Sequence, residues 1–202
     1  MFSNIKYLIT TLYSYRKILF RVIIFELYYS IKKFELIPNI KLQNSNFGTD
    51  TIPCVYYFLS KISQFIRKNK IKSVIDLGSG YGRVTNFIYD QNKIKVQGLE
   101  FDKEVFKKSL LLKRPNVKLY NHNILKVNLL NYYSQCFILV DPLKKKIDKK
   151  RLINKILKLK KDKKKLYIIS VNMDKSVFSK KIKLLEKYIG SESKSLRFFE
   201  VN

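Results

Sequence analysis

Val74-Ile75-Asp76-Leu77-Gly78-Ser79-Gly80-Tyr81-Gly82-Arg83-Val84 is the stretch on which the fold turns. Val74 to Leu77 is a short, mostly apolar run that reads as a buried strand, with an acid near its C-terminal end. A glycine-rich turn follows, and Thr85-Asn86-Phe87-Ile88-Tyr89 continues in helical rhythm. Strand, turn and helix make a crevice at the carboxyl end of a parallel strand, where open α/β sheets hold nucleotide-like ligands. Glycines there permit positive φ and let a ligand lie against the backbone. The N–H groups of the helix start favour a negatively charged ligand group.

The spacing narrows the ligand. A dinucleotide fingerprint, G-x-G-x-x-G, needs glycine at the position of Arg83. Here the pattern is Asp76-x-Gly78-x-Gly80-x-Gly82, which resembles motif I of the class I S-adenosylmethionine (SAM) methyltransferases. A second anchor follows: Ile94 to Glu100 reads as the next strand and ends in an acid 22 residues after Gly78. A carboxylate at that place can accept both ribose hydroxyl protons. The competing reading of the same residues is an ordinary glycine-rich βα turn with a surface glutamate.

The chain of 202 residues suits one α/β domain plus an extension, and a 46% hydrophobic share can build its core. Two cysteines in apolar runs, Cys54 and Cys136, and a single histidine, His122, argue against a zinc site and for a reducing, cytoplasmic compartment. No window of about 18 uncharged apolar residues exists, so no transmembrane helix is expected. The formal charge is +27, and +14 of it falls in residues 142–202. Such a field attracts a polyanion, either nucleic acid or an anionic membrane surface. AT-rich codon bias is the alternative source of the lysines, but Asp and Glu codons can be AT-rich too, and acids are scarce.

Residues 1–46 read as a basic, aromatic helical arm and linker, and residues 47–202 as the domain. Ile18, Phe20, Val22, Ile23, Ile24, Phe25, Leu27 and Tyr28 make the arm too apolar to be fully solvated, while Arg16, Lys17, Arg21, Glu26, Lys32 and Lys33 interrupt it. Such a helix either caps the core or lies in a membrane interface, which would make the protein peripheral at the membrane. Downstream of a Pro38–Thr51 linker, Asp50 or Thr51 is the expected N-cap of a helix over Val55 to Arg67. The expected order is then βαβ throughout: a helix from Lys103 to Leu112, a strand at Lys118–Tyr120, a strand at Phe137–Val140, a basic helix from about Lys149 to Lys161 and a strand at Leu166–Val171. Two final runs, near Ile182–Tyr188 and Leu196–Val201, suggest an antiparallel pair closing the sheet.

From about Phe47 onward the chain resembles small single-domain bacterial class I SAM-dependent methyltransferases. The resemblance rests on Thr51-Ile52-Pro53-Cys54-Val55-Tyr56, on Asp76 to Arg83, on Glu100 and on Asp141-Pro142-Leu143. The last stands where that group has an Asn-Pro-Phe-like motif. More distantly the chain is similar to the lysine methyltransferases of the ATP-synthase c-subunit, which also join an N-terminal apolar segment to such a domain. The resemblance implies a Rossmann-like sheet of order 3-2-1-4-5-7-6 with strand 7 antiparallel, and SAM as cofactor. It implies that Asp76 orients the methionine ammonium and that Gly78, Ser79, Gly80 and Gly82 form the turn against the methionine and sulfonium region. Glu100 would then bind the ribose, Phe101 would flank the adenine, and Asn123 would accept from its amino group. Asp141 and Pro142 would border the departing methyl group, with Asp141 either holding a nucleophile in line or simply ending its strand. His122, the single imidazole, is a candidate base, but its expected place beside the adenine favours a wall role; Arg83 is expected to bind an acidic acceptor, the SAM carboxylate or a structural carboxylate. The methyl acceptor (protein, small molecule, glycan or RNA) is open. The alternative is a non-catalytic basic scaffold on the same fold, binding nucleic acid or an anionic membrane.

Overall fold

A computed structural model of the chain describes residues 14–33, 48–49, 51–160 and 165–202. Its strands are β1 (Ser73–Leu77), β2 (Lys95–Glu100), β3 (Val117–Asn121), β4 (Cys136–Val140), β5 (Tyr167–Val171), β6 (Ile182–Ile189) and β7 (Ser195–Val201). They form one sheet in the order β3-β2-β1-β4-β5-β7-β6. The first five are mutually parallel, and β7 runs antiparallel to both β5 and β6. This is the expected order, including the direction of the seventh strand.

Strand periodicity sorts the core into two layers. In β4, Cys136 and Ile138 join the apolar cluster on one face of the sheet, while Phe137 and Leu139 join the cluster on the other. The first face is covered by α2 (Tyr56–Lys68) and α3 (Arg83–Asn92), with Leu59, Ile62 and Ile66 of α2 turned inward. Val105 of α4 (Lys103–Leu112) is buried, and α4 is capped by Asp102, whose side chain accepts from the Glu104 and Val105 N–H groups. The second face is covered by α5 (Lys146–Leu157) through Leu152, Ile153 and Ile156.

Two helix boundaries depart from expectation. The basic helix starts at Lys146 and ends at Leu157, earlier at both ends. Asp148 then falls in its first turn, where a negative charge suits the helix dipole. Helix α2 starts at Tyr56 after an extended Val55 that offers no side-chain cap. Asp50 lies outside the described residues, Thr51 lies four positions before the N-cap residue Val55 and is not the cap, and the cap comes from elsewhere. The carboxylate of Glu26, in the arm helix α1 (Leu19–Lys33), accepts the Tyr56 N–H at 2.5 Å.

The arm therefore caps the core with one face. Val22 is buried, Phe25 packs edge-on against Tyr57, and Tyr29 stacks on Tyr56. Among the described residues, no helix is long and apolar enough to cross a membrane.

Candidate functional site

The turn after β1 is fastened to β2. The N–H groups of Gly78 and Ser79 both donate to the Leu99 carbonyl at 2.9 Å. Gly78 and Gly80 hold φ of +91° and +53°, which side-chain-bearing residues rarely adopt. Space forbids a side chain as well. A Cβ on Gly78 would lie 2.7 Å from Pro142 Cβ, and one on Gly80 would lie 2.8 Å from Thr51 Cγ2. The turn is thus clamped between the segment before α2 and Pro142, the second residue after β4. Gly48 pairs with Leu143 in an isolated bridge, which holds that upstream segment in place.

These close approaches leave a cavity of about 370 Å³ at the carboxyl ends of β1, β2 and β4, within the range of small-ligand sites. Asp76, Gly78, Ser79, Gly80, Glu100, Phe101, Asn123 and Pro142 all line it. Gly82 stands behind the turn as the left-handed N-cap of α3. Thr51, Pro53 and Tyr56 supply a wall that the residue patterns alone did not assign to the ligand.

The two acids differ in what they already hold. Asp76 is 1% exposed, and neither of its carboxylate oxygens has a hydrogen-bond partner among the described residues. Burial, with the nearby Glu100 charge second, pushes its carboxyl well above the usual carboxylate range. A buried polar group without a partner is rare in a folded protein and calls for a ligand or a proton. Glu100 is tied down: Oε2 accepts from Gly80 N–H and Oε1 from Asp102 N–H, each at 2.8 Å. Burial raises its pKa too, and those N–H donors pull the other way. The Phe101 N–H is a third backbone donor to this carboxylate, whose roughly four lone-pair sites leave acceptor capacity for an incoming hydroxyl.

Phe101 is half exposed at the rim. Asn123 spends one acceptor position on the Leu125 N–H at 2.9 Å, which folds the loop after β3. The Lys155 ammonium, from α5, donates to the carbonyls of Ile124, Leu125 and Val127 at 3.2, 2.9 and 2.8 Å. A lysine of the basic helix therefore shapes the wall that carries Asn123. His122 is exposed, outside the cavity lining, and its ring stacks near Tyr120 and Tyr132.

Arg83 pairs with a structural carboxylate, Glu26 of the arm, at 3.0 Å and lies over the Tyr56 ring at 4.3 Å. One acid in the arm thus caps α2 and neutralises a cation in the cavity wall. Asp141 holds a strained φ of +40°, and its carbonyl accepts from the Thr49 hydroxyl at 2.6 Å. Its carboxylate is ion-paired with Lys149 of α5 and is not part of the cavity lining. Burial raises the Asp141 pKa and Lys149 opposes that rise. Both cysteines are buried free thiols, pushed up by burial and unsuited to nucleophilic work. Among the described residues there is no cluster of acids, histidine and cysteine able to hold a metal.

The order and directions of the seven strands are those of a Rossmann-like fold of the class I methyltransferase type. No family model and no curated protein sequence matches the chain. Solved structures do match. An RNA methyltransferase from Salinibacter ruber, in complex with S-adenosyl-L-homocysteine (SAH), superposes with a TM-score of 0.58 at 12% identity, covering 74% of this chain and 94% of that one. A Staphylococcus aureus protein described as a candidate caffeoyl-CoA O-methyltransferase gives 0.58 at 13% identity, covering 75% of this chain and 86% of that one. A mutant of MtNAS in complex with SAM gives 0.56 at 9%, covering 71% of this chain and 61% of that one. At such identities the likeness is one of fold.

Proposed function

We propose that the chain is a SAM-dependent methyltransferase whose cofactor occupies the cavity between Asp76, Glu100 and Pro142. The observation that carries this reading is Asp76, a buried carboxylate with no partner among the described residues, in the wall of a cavity of ligand size. A primary ammonium group fits it in charge and in donor number. The glycine turn, which admits no Cβ at Gly78 or Gly80, fits a ligand lying flat on the backbone.

In this reading Asp76 holds the methionine ammonium, and the remaining acceptor capacity of Glu100 serves the ribose. Phe101 and Asn123 flank the adenine. SAM, when bound, supplies an electrophilic methyl group on a good leaving group. The task left to the protein is alignment. Pro142, pressed against Gly78, fixes the rim next to that methyl group together with Val140 and Leu143. Asp141 acts on the backbone: its carboxylate is neutralised by Lys149, and its carbonyl is held by Thr49. We therefore assign Asp141 to shaping the rim and not to proton removal.

The acceptor, whether protein, small molecule, glycan or RNA, is read out by experiment. Tritiated SAM is incubated with the enzyme and a cell lysate, with Gly80→Val as the inactive control. Label that enters one macromolecular or lipid fraction only with the parent enzyme identifies the acceptor class. No transfer into any fraction, from a protein that binds SAM, would favour the non-catalytic scaffold.

A further inference from the structure

The arm helix α1 has two apolar faces, and among the described residues only one packs against the core. Val22, Phe25 and Tyr29 pack inward, as described above. Phe20, Ile24, Leu27, Tyr28 and Ile31 point the other way, with exposures from 46% at Ile24 to 75% at Phe20. At 3.6 residues per turn those five fall within an arc of about 100°. A stripe of large apolar side chains on the outside of a helix marks an interaction surface.

Charge decides the partner. Arg16, Lys17, Arg21 and Lys32 are exposed around the stripe, and Lys32 Nζ lies 5.7 Å from the centre of the Tyr28 ring. Glu26 is the single acid between residues 14 and 33, and it is turned inward to Arg83 and the Tyr56 N–H. The outward surface of α1 is thus apolar and cationic, with its negative charge withdrawn. A second copy of the chain would bring the same cations against these, and a protein partner would have to be matched to both features. An anionic bilayer matches both at once: the apolar side chains enter the acyl boundary and the cations stay among the headgroups.

We infer that α1 docks the protein on an anionic membrane through Phe20, Ile24, Leu27, Tyr28 and Ile31. The same helix holds Arg83 in the cavity wall through Glu26, so the docked helix brings the cavity within about one helix diameter, 10–12 Å, of the membrane surface. The docking does not depend on what the cavity binds.

The test is co-sedimentation of the full chain with vesicles of phosphatidylcholine alone and of phosphatidylcholine with phosphatidylglycerol. The comparison protein is Ile24→Gln/Leu27→Gln, which keeps every charge. Thermal melting confirms that the variant folds like the parent, since both side chains are exposed. The inference expects binding to the mixed vesicles, little to the neutral ones, loss with added salt, and at least tenfold weaker binding by the variant. Three results would overturn it: equal binding to both vesicles, unchanged binding by the variant, or a parent dimer in solution that the variant loses. Retained SAH binding in the variant separates failure of the docking from failure of the methyltransferase reading.

Discussion

Replacing Asp76 with Asn should make the ligand-free protein more stable and its cofactor binding much weaker. Asp76 is fully buried, and its carboxylate oxygens find no partner among the described residues. Desolvating an ionised carboxylate costs several kcal/mol, part of which protonation relieves. An unsatisfied amide in the same place costs about 1–3 kcal/mol. The variant should therefore gain about 1–2 kcal/mol, or about 2–8 °C in Tm for a chain of this length. The gain should also depend on pH. Because the folded state holds the Asp76 proton more tightly than the unfolded chain does, the acid weakens the fold progressively as pH rises from the ordinary carboxylate pKa toward the raised folded value. The advantage of Asp76→Asn should open across that window and stay flat above it. Ligand binding should move the opposite way. Loss of a buried charged partner for the ammonium is worth about 3 kcal/mol, on the order of a hundredfold in SAH affinity. Differential scanning fluorimetry from pH 4 to pH 9, with and without SAH, reads both effects. A variant that melts below the parent at every pH, yet binds SAH as well, would refute the reasoning.

Gly80→Ala should cost at least about 1 kcal/mol from its left-handed backbone alone and more from the 2.8 Å approach to Thr51 Cγ2. Adding Thr51→Ser removes that methyl and should recover part of both stability and SAH affinity; a double variant no better than the single one would show that the clash is not the cause. Glu26→Ala should lower stability by about 3 kcal/mol, because it strips the cap from α2 and leaves the Arg83 cation without its 3.0 Å partner. Glu26→Gln should recover part of that loss by keeping an acceptor for the Tyr56 N–H, and urea unfolding would show equal variants if the cap were irrelevant. Lys155→Met should loosen the loop at Ile124–Val127 and raise hydrogen exchange there and at Asn123, while unchanged protection would reduce the lysine to a surface charge.

Most of the sheet was legible because its strands are short apolar runs ended by acids or glycines. Val74–Leu77 and Phe137–Val140 each stop at the residue that faces the cavity or its rim. The cofactor-side residues were legible for the same reason: a glycine turn and a strand-ending acid are local in sequence. What was not legible depends on contacts between distant segments. Nothing around Val55 shows that its helix is capped by a carboxylate 30 positions upstream. Composition alone does not mark Lys149 and Lys155 as inward-facing among the other lysines of the run. Helical phase could have suggested it, since Leu152, Ile153 and Ile156 set the buried face and Lys149 and Lys155 lie beside it. Asp141 read as a possible nucleophile holder because its partner, Lys149, lies in the next helix and the pairing is tertiary.

The central claim is that the cavity at Asp76, Gly80 and Glu100 binds SAM. Isothermal titration calorimetry of the full chain with SAM and with SAH tests it most directly. The account predicts saturable binding of both at one site per chain, lost in Gly80→Val and severely weakened in Glu100→Ala. A folded protein that binds neither ligand would contradict it, and so would variants that bind both as the parent does.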